Sequence, residues 1–319
     1  MRAVVLAGGY ATRMWPITRN RPKMFLPVGD GTIIDEIFRD LEDDDRIEEV
    51  FISTNERFAD DFRAHIAESE FEKPTLSVED TSEEGEKFGV VGALAQLVER
   101  EEIDDDLLVV AGDNLISFSL SDFVDYFEGV DGSALAAYDV GSRERAKSYG
   151  VLDVEDERVV GFEEKPADPQ STLASIACYA FERETVPMLG EYLSDDNNPD
   201  EPGWFIKWLQ SREAVYAYTF DGAWYDIGTP AAYLDAVEWS LDGGSDVSPD
   251  ATVEDSDIGE GVHVMAGATV RNSSLERTVV FPDATVEDCS FASSVIDEHA
   301  ELSDIDRENA LVGGYTRID

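Results

Sequence analysis

Two hydrophobic periods take turns along the first three quarters of the chain. Unbroken apolar runs, Ala3-Val4-Val5-Leu6-Ala7 and Leu107-Leu108-Val109-Val110-Ala111, have the length and flanks of buried strands, and Val50-Phe51-Ile52-Ser53-Thr54 reads as another. Between them the spacing becomes helical. Ile33, Ile34, Ile37, Phe38 and Leu41 share one face of a helix over 33–45, Phe58–Ile66 forms a second, and Gly92–Glu99 opens a third. Leu76-Ser77-Val78, Ala134–Val140, Val159–Phe162 and 173–181 are further strands, and Ala231–Leu241 a further helix. This alternation predicts an α/β domain with a Rossmann-like, mixed, mostly parallel sheet and helices on both faces. Such sheets bind ligands at the carboxyl ends of their strands. There the first strand carries Gly8-Gly9, and Leu107–Ala111 carries Gly112-Asp113-Asn114.

The pattern changes after residue 241. Asp-Gly-Gly-Ser-Asp at 242–246 has linker composition, and beyond it small apolar residues recur in imperfect hexads. Ser-Pro-Asp-Ala-Thr-Val at 248–253 nearly repeats as Phe-Pro-Asp-Ala-Thr-Val at 281–286. Such a period predicts a β-helix of short rungs, with room for roughly four coils. Two domains are therefore expected, 1–241 and 247–319.

Composition narrows the chemistry. The chain holds 71 acidic and 24 basic residues, a formal charge of −47, yet no acid precedes Asp30, where Arg2, Arg13, Arg19, Arg21 and Lys23 gather. Dispersed acid with scarce lysine resembles proteins from organisms with molar internal salt. At about 1 M the Debye length is roughly 3 Å, so only charges at contact still act. A surface this acidic excludes duplex nucleic acid as a partner. No apolar run reaches membrane-spanning length, and no secretory leader is read at the N-terminus. Two distant cysteines, Cys178 and Cys289, fit a reducing cytoplasm.

A buried strand, a glycine turn and then Thr12, Arg13 and Lys23 is an arrangement that offers backbone N–H groups and cations to phosphates. Asp113, following the apolar run Leu107–Ala111 and a glycine, emerges at the sheet rim. A carboxylate there suits Mg²⁺, which takes one or two carboxylates together with phosphate oxygens and water.

Residues 8–28, GGYATRMWPITRNRPKMFLPV, resemble the signature of the sugar nucleotidylyltransferases, which join a sugar 1-phosphate to an NTP and release pyrophosphate. Tyr149-Gly150-Val151, Glu163-Glu164-Lys165-Pro166 and Trp224-Tyr225-Asp226-Ile227-Gly228-Thr229-Pro230 resemble later motifs of the same family. The resemblance implies Mg²⁺ held by Asp113 and Asp226, with Arg13 and Lys23 as catalytic cations. It implies nucleotide contacts from Leu6, Gly8, Gly9, Thr12, Glu79 and Gly89. Tyr149, Gly150, Glu164, Lys165 and Trp224 would face the sugar phosphate. It also implies a left-handed coil for the C-terminal domain, and homo-oligomers through it. Ala11 and Ala177 stand where most members have glycine. Since alanine tolerates positive φ poorly, the loop at Ala11 is expected to be tighter or differently routed.

On family frequency, UTP or dTTP with glucose 1-phosphate is the favoured pair. Glu79 occupies the place where a glutamine often reads uracil or thymine. An ionised carboxylate only accepts hydrogen bonds, which keeps a GTP-dependent mannose-1-phosphate guanylyltransferase open beside it. A noncatalytic regulatory subunit should have lost Arg13, Lys23, Asp113 or Asp226, and all four stand. A metal-dependent glycosyltransferase would show Asp-x-Asp where this chain has Gly-Asp-Asn. An acyltransferase would use His263 or His299 as base; both are expected on the rung surface instead.

Overall fold

The computed structural model describes residues 1–79 and 89–319. The chain divides into two compact units. Met1–Gly9 and Ile34–Trp224 form the first, and Tyr10–Ile33 with Tyr225–Asp319 the second. The signature segment thus groups with the C-terminal strands, which a cut between 241 and 247 does not anticipate.

The first unit is built on a nine-stranded sheet. In chain order its strands are β1 Arg2–Leu6, β2 Glu49–Asn55, β3 Pro74–Glu79, β4 Leu107–Ala111 and β5 Ser133–Asp139. Then come β6 Gly150–Glu155, β7 Arg158–Glu164, β8 Leu173–Phe181 and β9 Val215–Thr219. Their spatial order is β3-β2-β1-β4-β8-β5-β9-β7-β6. β3, β2, β1 and β4 are parallel neighbours, and so are β5 and β9. β8 runs antiparallel to both β4 and β5, and β7 to β6 and β9. The sheet is mixed, as expected, but "mostly parallel" describes only its first half. The cause is local. Asp156 and Glu157 both adopt positive φ, 48° and 64°, and close β6 onto β7 as a hairpin, which leaves no room for a crossover helix.

Register places the candidate chemistry. Leu6 lies opposite Ser53 on one side and Ala111 on the other, and Asn55 lies opposite Glu79. The carboxyl ends of β1, β2, β3 and β4 therefore finish side by side. Beneath them Val4, Phe51, Val109 and Tyr179 pack with Leu94 and Leu97 of helix Val90–Arg100 and with Phe205 and Leu209 of helix Pro202–Leu209.

In the second unit, helix Pro230–Ser240 opens on Thr229, whose hydroxyl accepts from the Ala232 N–H, with Pro230 in the first turn. The C-terminal strands stack as parallel rungs. Val253, Val270, Val286, Leu302 and Ile318 follow one another in register. Arg271 reaches Glu287, and Arg317 reaches Glu301, each sixteen residues away. Positive φ recurs at Asn272, Asp288 and Asp304, at Arg277, Ser293 and Asn309, and at Asp283, His299 and Tyr315. Those are three sets of corners, so each turn of chain has three sides. Val264, Val280, Ile296, Ala284 and Ala300 fill the interior. His299 sits at a corner, stacked on Tyr315 at 4.8 Å. His263, expected on the rung surface, is instead buried. Its Nε2 lies 3.3 Å from Asp246, and burial pushes its pKa down.

Candidate functional site

On the first unit, the end of β1 brings together Leu6, Gly8 and Glu79 of the residues expected at a nucleotide. Gly8 offers its carbonyl to the Asn55 amide at 2.9 Å. Glu79, at the end of β3, brings Oε1 to 3.0 Å from the point where a Gly8 Cβ would stand. Ser53 donates to that same oxygen at 2.8 Å. Any side chain at position 8 would displace the carboxylate, so glycine there is a matter of space. The Leu6 carbonyl accepts from Gly112 N–H at 2.9 Å, which sets Asp113 at the adjoining strand end. Gly89 adopts φ 76° at the start of helix Val90–Arg100, and a Cβ there would meet the Asp200 backbone at 2.8 Å.

The five residues expected at the sugar phosphate are brought together at the end of β7. The Lys165 N–H donates to the Tyr149 carbonyl at 3.1 Å, and the rings of Tyr149 and Trp224 meet edge to face at 4.8 Å. Trp224 Nε1 donates to Asn114 Oδ1 at 3.2 Å, and the Asn114 amide donates to the Ile176 carbonyl. The residue directly after Asp113 is thereby tied to the aromatic pair. Glu164 lies with Oε2 at 3.0 Å from a notional Gly150 Cβ, and Phe162 beside it at 2.6 Å from that of Gly203. Only two side-chain-free positions admit this buried carboxylate. Burial, reinforced by Glu201 and opposed by Lys165, pushes the Glu164 pKa up to about 7. Lys165 pairs with Glu201 and stands 3.9 Å from Glu164.

On the second unit, Thr12, Arg13 and Met14 form one short turn and Lys23, Met24 and Phe25 another. Ala11, before the first, has φ 48° and ψ 41°, so alanine here keeps the left-handed conformation suited to glycine and the expected rerouting does not occur. Ala177 does the same at φ 54°, where the pairing of β8 with β5 breaks register. A closing hydrogen bond from Thr18 to the Ala11 carbonyl, 2.8 Å, supports the turn. The Arg13 guanidinium comes within 2.7 Å of a notional Gly228 Cβ, and Asp226 Oδ1 lies 3.6 Å from the same point. Gly228 therefore leaves space for a cation beside the second candidate carboxylate.

Among the described residues, no group of three or more His, Cys, Asp or Glu is placed to hold a metal. Mg²⁺ needs no such group, since phosphate oxygens and water complete its shell. The donors present fit it: Asp113 and Asp226 are hard oxygen donors, whereas both cysteines are buried thiols. Asn114, Ser53, Asn55 and Glu201 were not singled out from the sequence. Asn114 alone had a signal, its place directly after Asp113.

A family model described as "Nucleotidyl transferase" matches residues 2–242. A relative from Sulfolobus acidocaldarius carrying the name mannose-1-phosphate guanyltransferase is 31% identical over 73% of this chain and 61% of its own. The Bifunctional protein GlmU of Methanocaldococcus jannaschii is 28% identical over 76% of this chain and 55% of its own. The chain thus spans somewhat over half the length of these two relatives. A Bacillus anthracis structure named for glucose-1-phosphate thymidylyltransferase shares the fold, with TM-score 0.65, 24% identity, and coverage of 76% of this chain and 96% of that one. No helix among the described residues is long and apolar enough to cross a membrane. With the family model covering most of its length, the chain belongs to the nucleotidyl transferase family.

Proposed function

We propose that this protein transfers a nucleotidyl group from an NTP to a sugar 1-phosphate, giving an NDP-sugar and pyrophosphate. The observation that carries the reading is the convergence of Tyr149, Gly150, Glu164, Lys165 and Trp224 at one strand end, tied to Asn114, the residue after Asp113. A sugar phosphate oxygen attacks the α-phosphorus, the new O–P bond forms, and the bridging bond to the β-phosphate breaks. Lys165 holds the sugar phosphate once it leaves Glu201, and Glu164 accepts from sugar hydroxyls. Lys23 meets the α-phosphate as its charge grows, and Arg13 holds the departing β,γ-phosphates. Positioning and charge stabilisation supply the rate. Asp113 and Asp226 would hold Mg²⁺, which neutralises phosphate charge when bound.

For the base, UTP or dTTP with glucose 1-phosphate remains the pair implied by family frequency. Glu79 favours GTP over them. A carboxylate fixed by Ser53 against Gly8 can accept from the two N–H groups on guanine's edge, where uracil and thymine offer one. Mannose 1-phosphate is the sugar that accompanies this second reading. The C-terminal rungs form a left-handed coil in this reading, and open sheet edges on it carry homo-oligomer contacts.

Pyrophosphate release measured over a panel of NTPs and sugar phosphates, in molar KCl with Mg²⁺, tests the proposal. Turnover of at least one pair is expected. Nucleotide binding without turnover of any pair would make the chain a noncatalytic subunit instead.

A further inference from the structure

The signature segment does not stand alone: residues 10–33 share one compact unit with the C-terminal rungs. Contacts from Arg21, Pro16 and Pro27 help to hold them there. Arg21, between Arg13 and Lys23 in the chain, donates to Asp297 Oδ1 at 2.7 Å and approaches Glu298 at 3.3 Å. Its guanidinium lies over the Phe281 ring at 5.1 Å. The Pro16 ring presses on Gly313, whose notional Cβ would stand 2.9 Å from it. On the other flank, the Tyr233 hydroxyl, fully buried, donates to the Pro27 carbonyl at 2.9 Å.

The anchor on the rung side is itself fixed. Asp297 is 4% exposed and also accepts from the N–H groups of Glu298 and Gly314, at 2.9 and 3.2 Å. A carboxylate held by two backbone donors within the rungs cannot follow the loop; the loop must follow it. Charge-assisted, geometrically specific pairing of this kind suits arginine, and stacking on an aromatic face adds to it. Arg21 is more than three-quarters buried in this pairing, its side chain 21% exposed against 6% for Asp297.

We propose that the C-terminal rungs act as a template for the phosphate-binding loop. In this arrangement Arg21, Asp297 and Gly313 are positioning residues that set where Arg13 and Lys23 can reach. The inference rests on the proposed nucleotidyl transfer for its catalytic consequence, though the clamp itself stands on geometry alone. A loop carrying two cations is useful only if those cations are held close to the positions from which they meet the phosphates. The rungs supply that rigidity from outside the α/β sheet. They therefore contribute to turnover within one chain, whether or not they also carry subunit contacts.

The test uses the full chain in molar KCl with Arg21→Ala, Arg21→Lys, Asp297→Asn and Gly313→Val. Neither Asp297 nor Gly313 can bind phosphate, so they separate positioning from direct contact. Hydrogen exchange of peptides covering 10–33 should quicken at least tenfold in Arg21→Ala, Asp297→Asn and Gly313→Val, while peptides of β1, β2 and β4 keep their protection. Turnover should fall tenfold to a hundredfold in the same variants, with the KM for sugar phosphate within threefold of the parent. Arg21→Lys should recover part of both losses. Unchanged exchange in residues 10–33 for folded Asp297→Asn and Gly313→Val would overturn the clamp. Quickened exchange with unaltered turnover would overturn the positioning role. A parent protein that releases no pyrophosphate from any substrate pair, yet shows the exchange change, would overturn the proposed function and leave the clamp standing.

Discussion

Glu79 and Gly8 are held against each other, with Oε1 of the glutamate 3.0 Å from where a side chain on residue 8 would begin and Ser53 fixing that oxygen. An acceptor locked in that way should choose among bases by the N–H groups they offer. Glu79→Gln is expected to lower the ratio of kcat/KM for GTP to that for UTP by about tenfold or more. Steady-state rates on both nucleotides measure it. A ratio unmoved by the substitution would remove Glu79 from base selection.

Burial raises Glu164 from an ordinary glutamate value to about 7. Sugar hydroxyls bind a carboxylate more strongly than a neutral acid. The KM for sugar phosphate should therefore rise as pH falls through about 7. In Glu164→Gln the step should vanish, leaving only the titration of the substrate's own phosphate. The same shift bears on stability. A carboxyl whose folded pKa is raised favours the folded state while protonated, and loses that contribution as pH climbs from about 4.5 to about 7. Glu164→Gln should consequently stabilise the protein at pH 8 more than at pH 5, as read from chemical denaturation at both pH values.

Ala11 and Ala177 keep left-handed backbone at φ 48° and 54°. An L-residue there is disfavoured by roughly 1–2 kcal/mol, while added glycine freedom in the unfolded chain costs about 0.4–1 kcal/mol. Ala11→Gly and Ala177→Gly should each therefore be neutral or stabilising by up to about 1.6 kcal/mol in urea unfolding. A loss above about 1 kcal/mol in either would contradict the strain assigned to it.

A formal charge of −47 repels itself within any compact form. Between about 0.1 M and 2 M KCl the screening length falls from about 10 Å to below about 3 Å. The thermal midpoint is expected to climb steadily over that range. A midpoint independent of KCl would show that the acidic surface is neutralised by its own pairs.

The strand and helix pattern was legible because each element of the first sheet half carries its own period, as in β1, β4 and helix Ile33–Asp43. Antiparallel β8 was legible as a strand but not in direction, since an apolar run carries no sign of its partner's orientation. Helix Leu120–Glu128, Val215–Thr219 and the helix Pro202–Leu209 were not picked out from the chain. Of the site, Glu164 and Lys165 could be found by their motif. Glu201 could not: it meets Lys165 only because helix Pro202–Leu209 starts beside it. Nor could any local period tell that Arg21 would reach Asp297, hundreds of residues on. That pairing depends on where the rungs end up, which is a tertiary property.

Pyrophosphate release by the parent protein, set beside Asp113→Asn, Asp226→Asn and Lys23→Ala in molar KCl with Mg²⁺, bears most directly on the central claim. Two carboxylates holding the metal and one cation on the α-phosphate should each be worth on the order of 10²–10³ in turnover, with the folded state intact by circular dichroism. If folded Asp226→Asn or Lys23→Ala kept near-parental rates, the proposed chemistry would be contradicted.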